Sequence, residues 1–121
     1  MTLVFATVDG KHPLSLGNLP AKVRKDLTLD APAHYTATAY EGKRLVGFLR
    51  YDFNQFGTLC ASGTWVDPRD RANGIGASLW RYVLDRVKPR RVWVRTVTPG
   101  GRALVTALMR EKRRISWEVV G

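Results

Sequence analysis

The stretch of this 121-residue chain with the most chemistry per residue is 66–80, VDPRDRANGIGASLW. Charged side chains, an Asn and two glycines follow a strand-like run and lead into an apolar, helix-like one. Gly74 and Gly76 carry no Cβ, so backbone amides there can approach a ligand closely. They also open a helix, whose first N–H groups lack intrahelical partners and whose N-terminus carries roughly half a positive charge. With Arg69 and Arg71 alongside, the segment suits an anion of the pyrophosphate type. Two other phosphate loops are excluded by spacing. No Gly-Lys-Ser/Thr follows, and after Gly74-Ile75-Gly76 the third glycine position of a dinucleotide fingerprint is Leu79.

Elements on either side must position such a loop. TLVFATV (2–8) is rich in β-formers and reads as a first strand. Residues 9–20 are turn-rich, and 20–27 suit a short helix with Pro20 in its first turn. Residues 33–53 alternate on both sides of Glu41-Gly42-Lys43, the pattern of a hairpin. TLCASGTWV (58–66) is a fourth strand, with Gly63 marking a bulge or a close backbone approach. In 75–88, Ile75, Leu79, Val83 and Val87 recur every four residues, and Pro89 stops the helix they imply. RRVWVRTV (90–97) is a strand. Residues 98–114 form a helix capped by Thr98 with Pro99 at its first position. Residues 115–120 close as a last strand. The order β, short α, β, β, β, α, β, α, β implies an α/β fold in which a mixed sheet carries helices. Strands 58–66 and 90–97 are a parallel pair joined by a right-handed crossover. All 121 residues are expected to form one domain.

The string Arg71-Ala72-Asn73-Gly74-Ile75-Gly76 is Arg-x-x-Gly-x-Gly. With Val66-Asp67-Pro68 ahead of it and an apolar helix behind, it closely resembles the acetyl-CoA loop of the GCN5-related N-acetyltransferases (GNAT). The element order resembles that family along most of the chain. The resemblance implies a central twisted mixed sheet of about six to seven strands with helices on its faces. It implies acetyl-CoA (coenzyme A) as cofactor, its pyrophosphate held by amides of Arg71, Ala72, Asn73, Gly74, Ile75 and Gly76. Trp65 and Val66, at a strand end splayed from 90–97, would hydrogen-bond the pantetheine arm. The acceptor would enter from the opposite side, and a primary amine would attack the thioester directly in a ternary complex.

The catalytic half of that pattern is thinner. An alkyl amine with a pKa near ~10.4 must lose a proton before it attacks. Some branches of the family carry a Glu six residues before the equivalent of Val66, where this chain has Cys60. Asp52, Glu41, Cys60 and His34 are the weak candidates here, and Cys60 reads as a small buried hydrophobe. The family often supplies a Tyr as acid for the leaving thiolate. Aligning Ala103 with the family's helix Ala puts Ala107 at that place, no Asn opens the helix, and REKRRISW replaces the family's Gly-Phe. Tyr82 lies on the other helix and is expected to pack. Tyr51, Phe53, Phe56 and Trp65 fit an acceptor pocket or the core equally well. No metal site is implied, because a single cysteine excludes a Cys-cluster zinc site as well as an intrachain disulfide.

Charge narrows the partners. The net charge is +10, with seven basic and five acidic side chains in residues 1–60 but thirteen and five in 61–121. Fourteen of the 20 basic residues are Arg, which grips phosphate oxygens with two parallel donors. A basic half favours an anionic partner: a phosphorylated cofactor, nucleic acid or an acidic protein surface. The acceptor that the resemblance implies is a small amine, a protein amine or an aminoacyl group on RNA. The alternative function is a catalytically weak or inactive GNAT-like module that binds nucleic acid or an acidic protein partner. Pairing into a homodimer is a family habit. No apolar run approaches the roughly 18 residues of a membrane span, and the start lacks a basic n-region, so a cytoplasmic protein with no membrane partner is expected.

Overall fold

Why the predicted strands pair as they do is visible in the turns between them. The computed structural model describes residues 2–9, 35–96 and 98–121. The expected short helix at 20–27 and His34 lie outside those residues. Gly42 takes φ 60° in the turn between β2 (Tyr35–Glu41) and β3 (Arg44–Phe53), a left-handed conformation that glycine adopts without strain. That turn fixes an antiparallel hairpin with Glu41 opposite Arg44. β1 (Val4–Asp9) adds antiparallel to β2, and β4 (Leu59–Val66) antiparallel to β3. β5 (Arg91–Arg95) and β6 (Ser116–Val120) then add in parallel, giving a six-stranded sheet in sequence order among the described residues. The parallel β5–β6 pair was not foreseen strand by strand.

Helix α1 (Ile75–Val87) joins β4 to β5, and helix α2 (Pro99–Met109) joins β5 to β6. Both crossovers step in the same direction across the sheet, so right-handed connections place both helices on one face. They share one core. Ile75, Leu79, Trp80, Val83 and Leu84 of α1 and Val105 and Leu108 of α2 bury against Leu49, Leu59, Ala61, Val92 and Val94 of the sheet. Each fully buried side chain of this size contributes about 1.5–3 kcal/mol by leaving water. A smaller cluster joins Leu45 and Phe48 with Tyr40 and Trp65.

Two local features set α1 where it is. A Cβ on Gly47 would lie 3.0 Å from the Trp65 carbonyl oxygen and 3.1 Å from both Ile75 and Leu79. The bare backbone there lets the helix start sit close on β3 and β4. At the far end, Thr98 caps α2 as expected, its hydroxyl accepting from Gly101 N at 3.0 Å. α2 stops at Met109, earlier than the 98–114 read from the sequence. Beyond it Glu111 and Arg113 turn back to pair with Arg81 and Asp85 of α1. No helix among the described residues is long and apolar enough to cross a membrane.

Candidate cofactor cleft and anion cradle

The site begins where β4 leaves β5. The two strands pair only at Leu59↔Val92, Cys60↔Trp93 and Ala61↔Val94, although β4 continues to Val66. The cause lies on β4's other side. Its register with β3 jumps from Tyr51↔Ala61 to Arg50↔Gly63, leaving residue 62 as a bulge. A bulge bends its strand and increases twist, and this one falls immediately after the last β4–β5 pair. The bulge read from Gly63 is therefore present. Between the diverging strands lies a cleft of about 480 Å³, lined by Gly63 and Thr64 on one side, Trp93 and Thr96 on the other, and Trp80 and Leu104 of the helices.

The cleft's β4 edge has unused backbone. Asp67 N donates to Val46 O of β3 at 2.8 Å, so residues 64 and 66, of opposite parity, turn their backbone groups away from β3; of these the Val66 carbonyl is taken by Arg71 Nε. Trp65, singled out from the sequence, stacks its ring on Phe48 with centroids 5.7 Å apart. Thr64 was missed. So was Thr96, which is 6 % exposed and whose Oγ1 has no hydrogen-bond partner among the described residues. Buried hydroxyls are rarely left alone, which makes this one a candidate to meet a ligand group.

Beyond the end of β4 the chain makes a 3₁₀ turn, Pro68–Asn73, then passes through Gly74 at φ 70°, ψ 19° into α1. Ser78 N donates the first α1 bond, to Gly74 O at 3.0 Å. The amides of Ile75, Gly76 and Ala77 before it have no partner inside the helix. Gly74 offers no side-chain cap, and the first turn holds no acidic residue. The dipole end is thus left for an outside anion.

An ion network builds this turn from beneath. Asp67 and Asp70 are both buried. Arg44 of β3 donates to Asp70 at 2.9 Å and to Asp67 at 3.2 Å, and Arg69 adds Nε and Nη2 bonds to Asp67. Asp67 also caps the turn by accepting from Arg69 N at 3.0 Å. The Arg69 side chain, followed by its backbone amide and the nearby charges, holds the Asp67 carboxyl below the usual carboxylate range despite burial. The Asp70 hydrogen bond likewise raises Arg44. Two carboxylates beside an anion site are thereby neutralised. Arg71 Nε donates to Val66 O at 3.1 Å, tying the far end of the turn to β4.

The candidate proton carriers are dispersed. Glu41 is engaged with Arg44 at 3.6 Å, beside the turn and away from the cleft's closed end. Asp52 sits opposite Cys60 on the neighbouring strand, one residue short of the last β4–β5 pair. Burial first and Asp52 second push the Cys60 thiol up, so it is held neutral, as expected for a small hydrophobe. Tyr51 is in the core, and Tyr82 packs on Phe5 with centroids 5.5 Å apart. Phe56 is 78 % exposed. Ala103 and Ala107 lie exposed on α2, with no tyrosine on that helix.

This geometry has counterparts. Residues 8–105 match the acetyltransferase (GNAT) family, so the chain belongs to that family. The protein is an N-acetyltransferase by family, and acetyl-CoA is its cofactor. A ribosomal-protein-alanine N-acetyltransferase from Brucella melitensis biovar Abortus 2308 superposes with a TM-score of 0.68 at 16% identity, over 100% of each chain. A GNAT family protein from Streptococcus pneumoniae TIGR4 gives 0.63 at 18% identity, over 91% of this chain and 88% of that one. The putative N-acetyl transferase YhhK from E. coli, bound to coenzyme A, gives 0.60 at 18% identity over the same shares. At such identities the likeness is one of fold. No curated protein sequence matches the chain significantly.

Proposed function

We propose that this protein moves an acetyl group from acetyl-CoA to a primary amine by direct attack within a ternary complex. The observation that carries the reading is the pairing of an uncapped helix start, at Gly74–Ile75, with a strand edge that its parallel neighbour has left open. The residues present fit the cofactor. Amides of 71–76 meet the pyrophosphate, and Arg71 fixes the turn that presents them. Backbone groups of Thr64 and Val66 and the Thr96 hydroxyl meet the polar groups of the pantetheine arm. A Cβ on Gly76 would come within 3.3 Å of Leu104, so that position has little room for a larger residue.

When bound, acetyl-CoA supplies an activated thioester, and the chain's own work is placement and proton transfer. The closed end of the cleft, at Ala61 and Val94, orients the acyl end toward the opposite face, where the acceptor arrives. Holding both partners removes the entropy cost of their encounter. Asp52, the candidate carboxylate nearest that closed end in the strand register, takes the ammonium proton directly or through one water. The leaving thiolate collects its proton from solvent, since α2 supplies no tyrosine. A structurally similar protein is named for acetylating an alanine of a ribosomal protein, in keeping with an amine acceptor.

The test is steady-state release of free CoA thiol with a panel of primary amines and amine-bearing peptides. Amine-dependent release with intersecting double-reciprocal lines is expected. Parallel lines would mean a covalent acyl-enzyme and would contradict direct attack.

A further inference from the structure

A second groove opens beside the cleft, with a volume of about 1010 Å³, between the outer face of α2 and the end of β6. Arg102 and Thr106 of α2 and its C-cap Arg110 stand at i, i+4 and i+8, and Arg95 joins them from β5. The three arginines are exposed. None has an ion-pair partner among the described residues, and no Asp or Glu side chain lines the groove. The contrast with their neighbours is informative. Arg81 and Arg113 are tied to Glu111 and Asp85, which makes the end of the REKRR run part of the α1–α2 joint. Three arginines without an ion-pair partner among the described residues thus share one groove.

We propose that this groove docks an extended acidic peptide. The docking does not rest on the acetyltransferase reading above. Three features choose the partner. Guanidinium groups match carboxylates with paired donors. Arg102 and Arg110, eight residues apart on a helix, are separated by about 12 Å along its axis, close to the ~13 Å between residues i and i+4 of an extended chain. Among the described residues no aromatic side chain lines the groove, which leaves it without the stacking platform on which single-stranded nucleic acid depends. Small residues, Ala103 and Ala107, leave room for a main chain between the arginines. The groove adjoins the cleft: Arg95, Thr96 and Thr98 line both.

The experiment uses fluorescence anisotropy with a labelled peptide alternating Glu and Ala, the same peptide with Gln for Glu, and labelled oligothymidine. Acetyl-CoA affinity is measured in parallel. The wild-type protein should bind the Glu peptide in a salt-sensitive way. The double variant Arg102→Glu, Arg110→Glu should bind it at least about tenfold more weakly while its acetyl-CoA Kd stays within about twofold. The double alanine variant should fall between them. Equal binding of the Glu and Gln peptides would overturn the proposal. Tighter binding of oligothymidine than of the Glu peptide would make the groove a nucleic-acid surface. A parallel loss of acetyl-CoA affinity would assign the arginines to the cofactor's phosphates. Peptide binding that follows the arginines in a protein that ignores acetyl-CoA would instead refute the cofactor reading and leave the groove's assignment standing.

Discussion

Substituting Gly74 by Lys and by Glu separates the two things that residue does. At φ 70° and ψ 19° it occupies the left-handed region, and nothing lies within 4 Å of the place a Cβ would take. A side chain there meets strain without collision, costing about 1–2 kcal/mol. For a domain of this size that lowers Tm by roughly 3–10 °C. Both variants share that cost, so the difference between them is charge alone. Two unit charges 4 Å apart interact by about 1 kcal/mol in water and about 4 kcal/mol at an effective dielectric of 20. A flexible, solvated side chain at the rim of the anion site belongs at the lower end. The Lys and Glu variants should therefore differ by about 1–3 kcal/mol in acetyl-CoA binding, roughly 5- to 150-fold in Kd, with Glu the weaker. Calorimetry at low salt measures the Kd values, because salt screens exposed charge, and a thermal melt confirms equal strain. Equal Kd values in two variants of equal Tm would refute the anion cradle.

Three other outcomes follow from the same geometry. Thr96→Val removes a buried hydroxyl that has no partner among the described residues, so Tm should hold or rise while acetyl-CoA affinity falls; a drop in Tm with unchanged affinity in calorimetry would show that the hydroxyl serves the fold. Asp67 has a lowered folded pKa, so its stabilising contribution is complete above the ordinary carboxylate range and is lost as pH falls through the folded value. Urea midpoints should accordingly be level from pH 7 to about 5 and fall below about pH 4, and Asp67→Asn should flatten that fall; an unchanged acid profile would remove Asp67 from the account. Gly47→Ala should cost about 1–3 kcal/mol by overpacking against the Trp65 carbonyl and α1, read as a lower Tm; an unshifted melt would mean that α1 is not set by that contact.

Local chemistry was legible in the sequence and long-range partnership was not. The β2–β3 hairpin shows itself through Gly42, because a turn residue and alternation on both sides are neighbours in the chain. α1 shows itself through Ile75, Leu79 and Val83, all of which are buried. Gly63 announced a bulge, but not that the bulge would splay β4 from β5. Arg44 lies 23 and 26 residues from the aspartates it holds. Nothing in its own segment marks it as the support of the turn. Thr96 is distinguished only by what packing leaves beside it. The length of α2 was overread because Arg110, Lys112 and Arg113 are good helix formers, whereas the observed stop lets Glu111 and Arg113 pair with α1. The parallel β5–β6 pair likewise depends on where a crossover returns, which residue type does not encode.

The most direct test of the cofactor site is an ¹⁵N NMR titration of the protein with acetyl-CoA. The expected result is saturable shifts concentrated on the amides of Arg71 through Ala77, with Thr64, Val66 and Thr96 following. Saturable binding that leaves those amides still and moves others, or no binding by folded protein, would contradict the assignment of this cleft to acetyl-CoA.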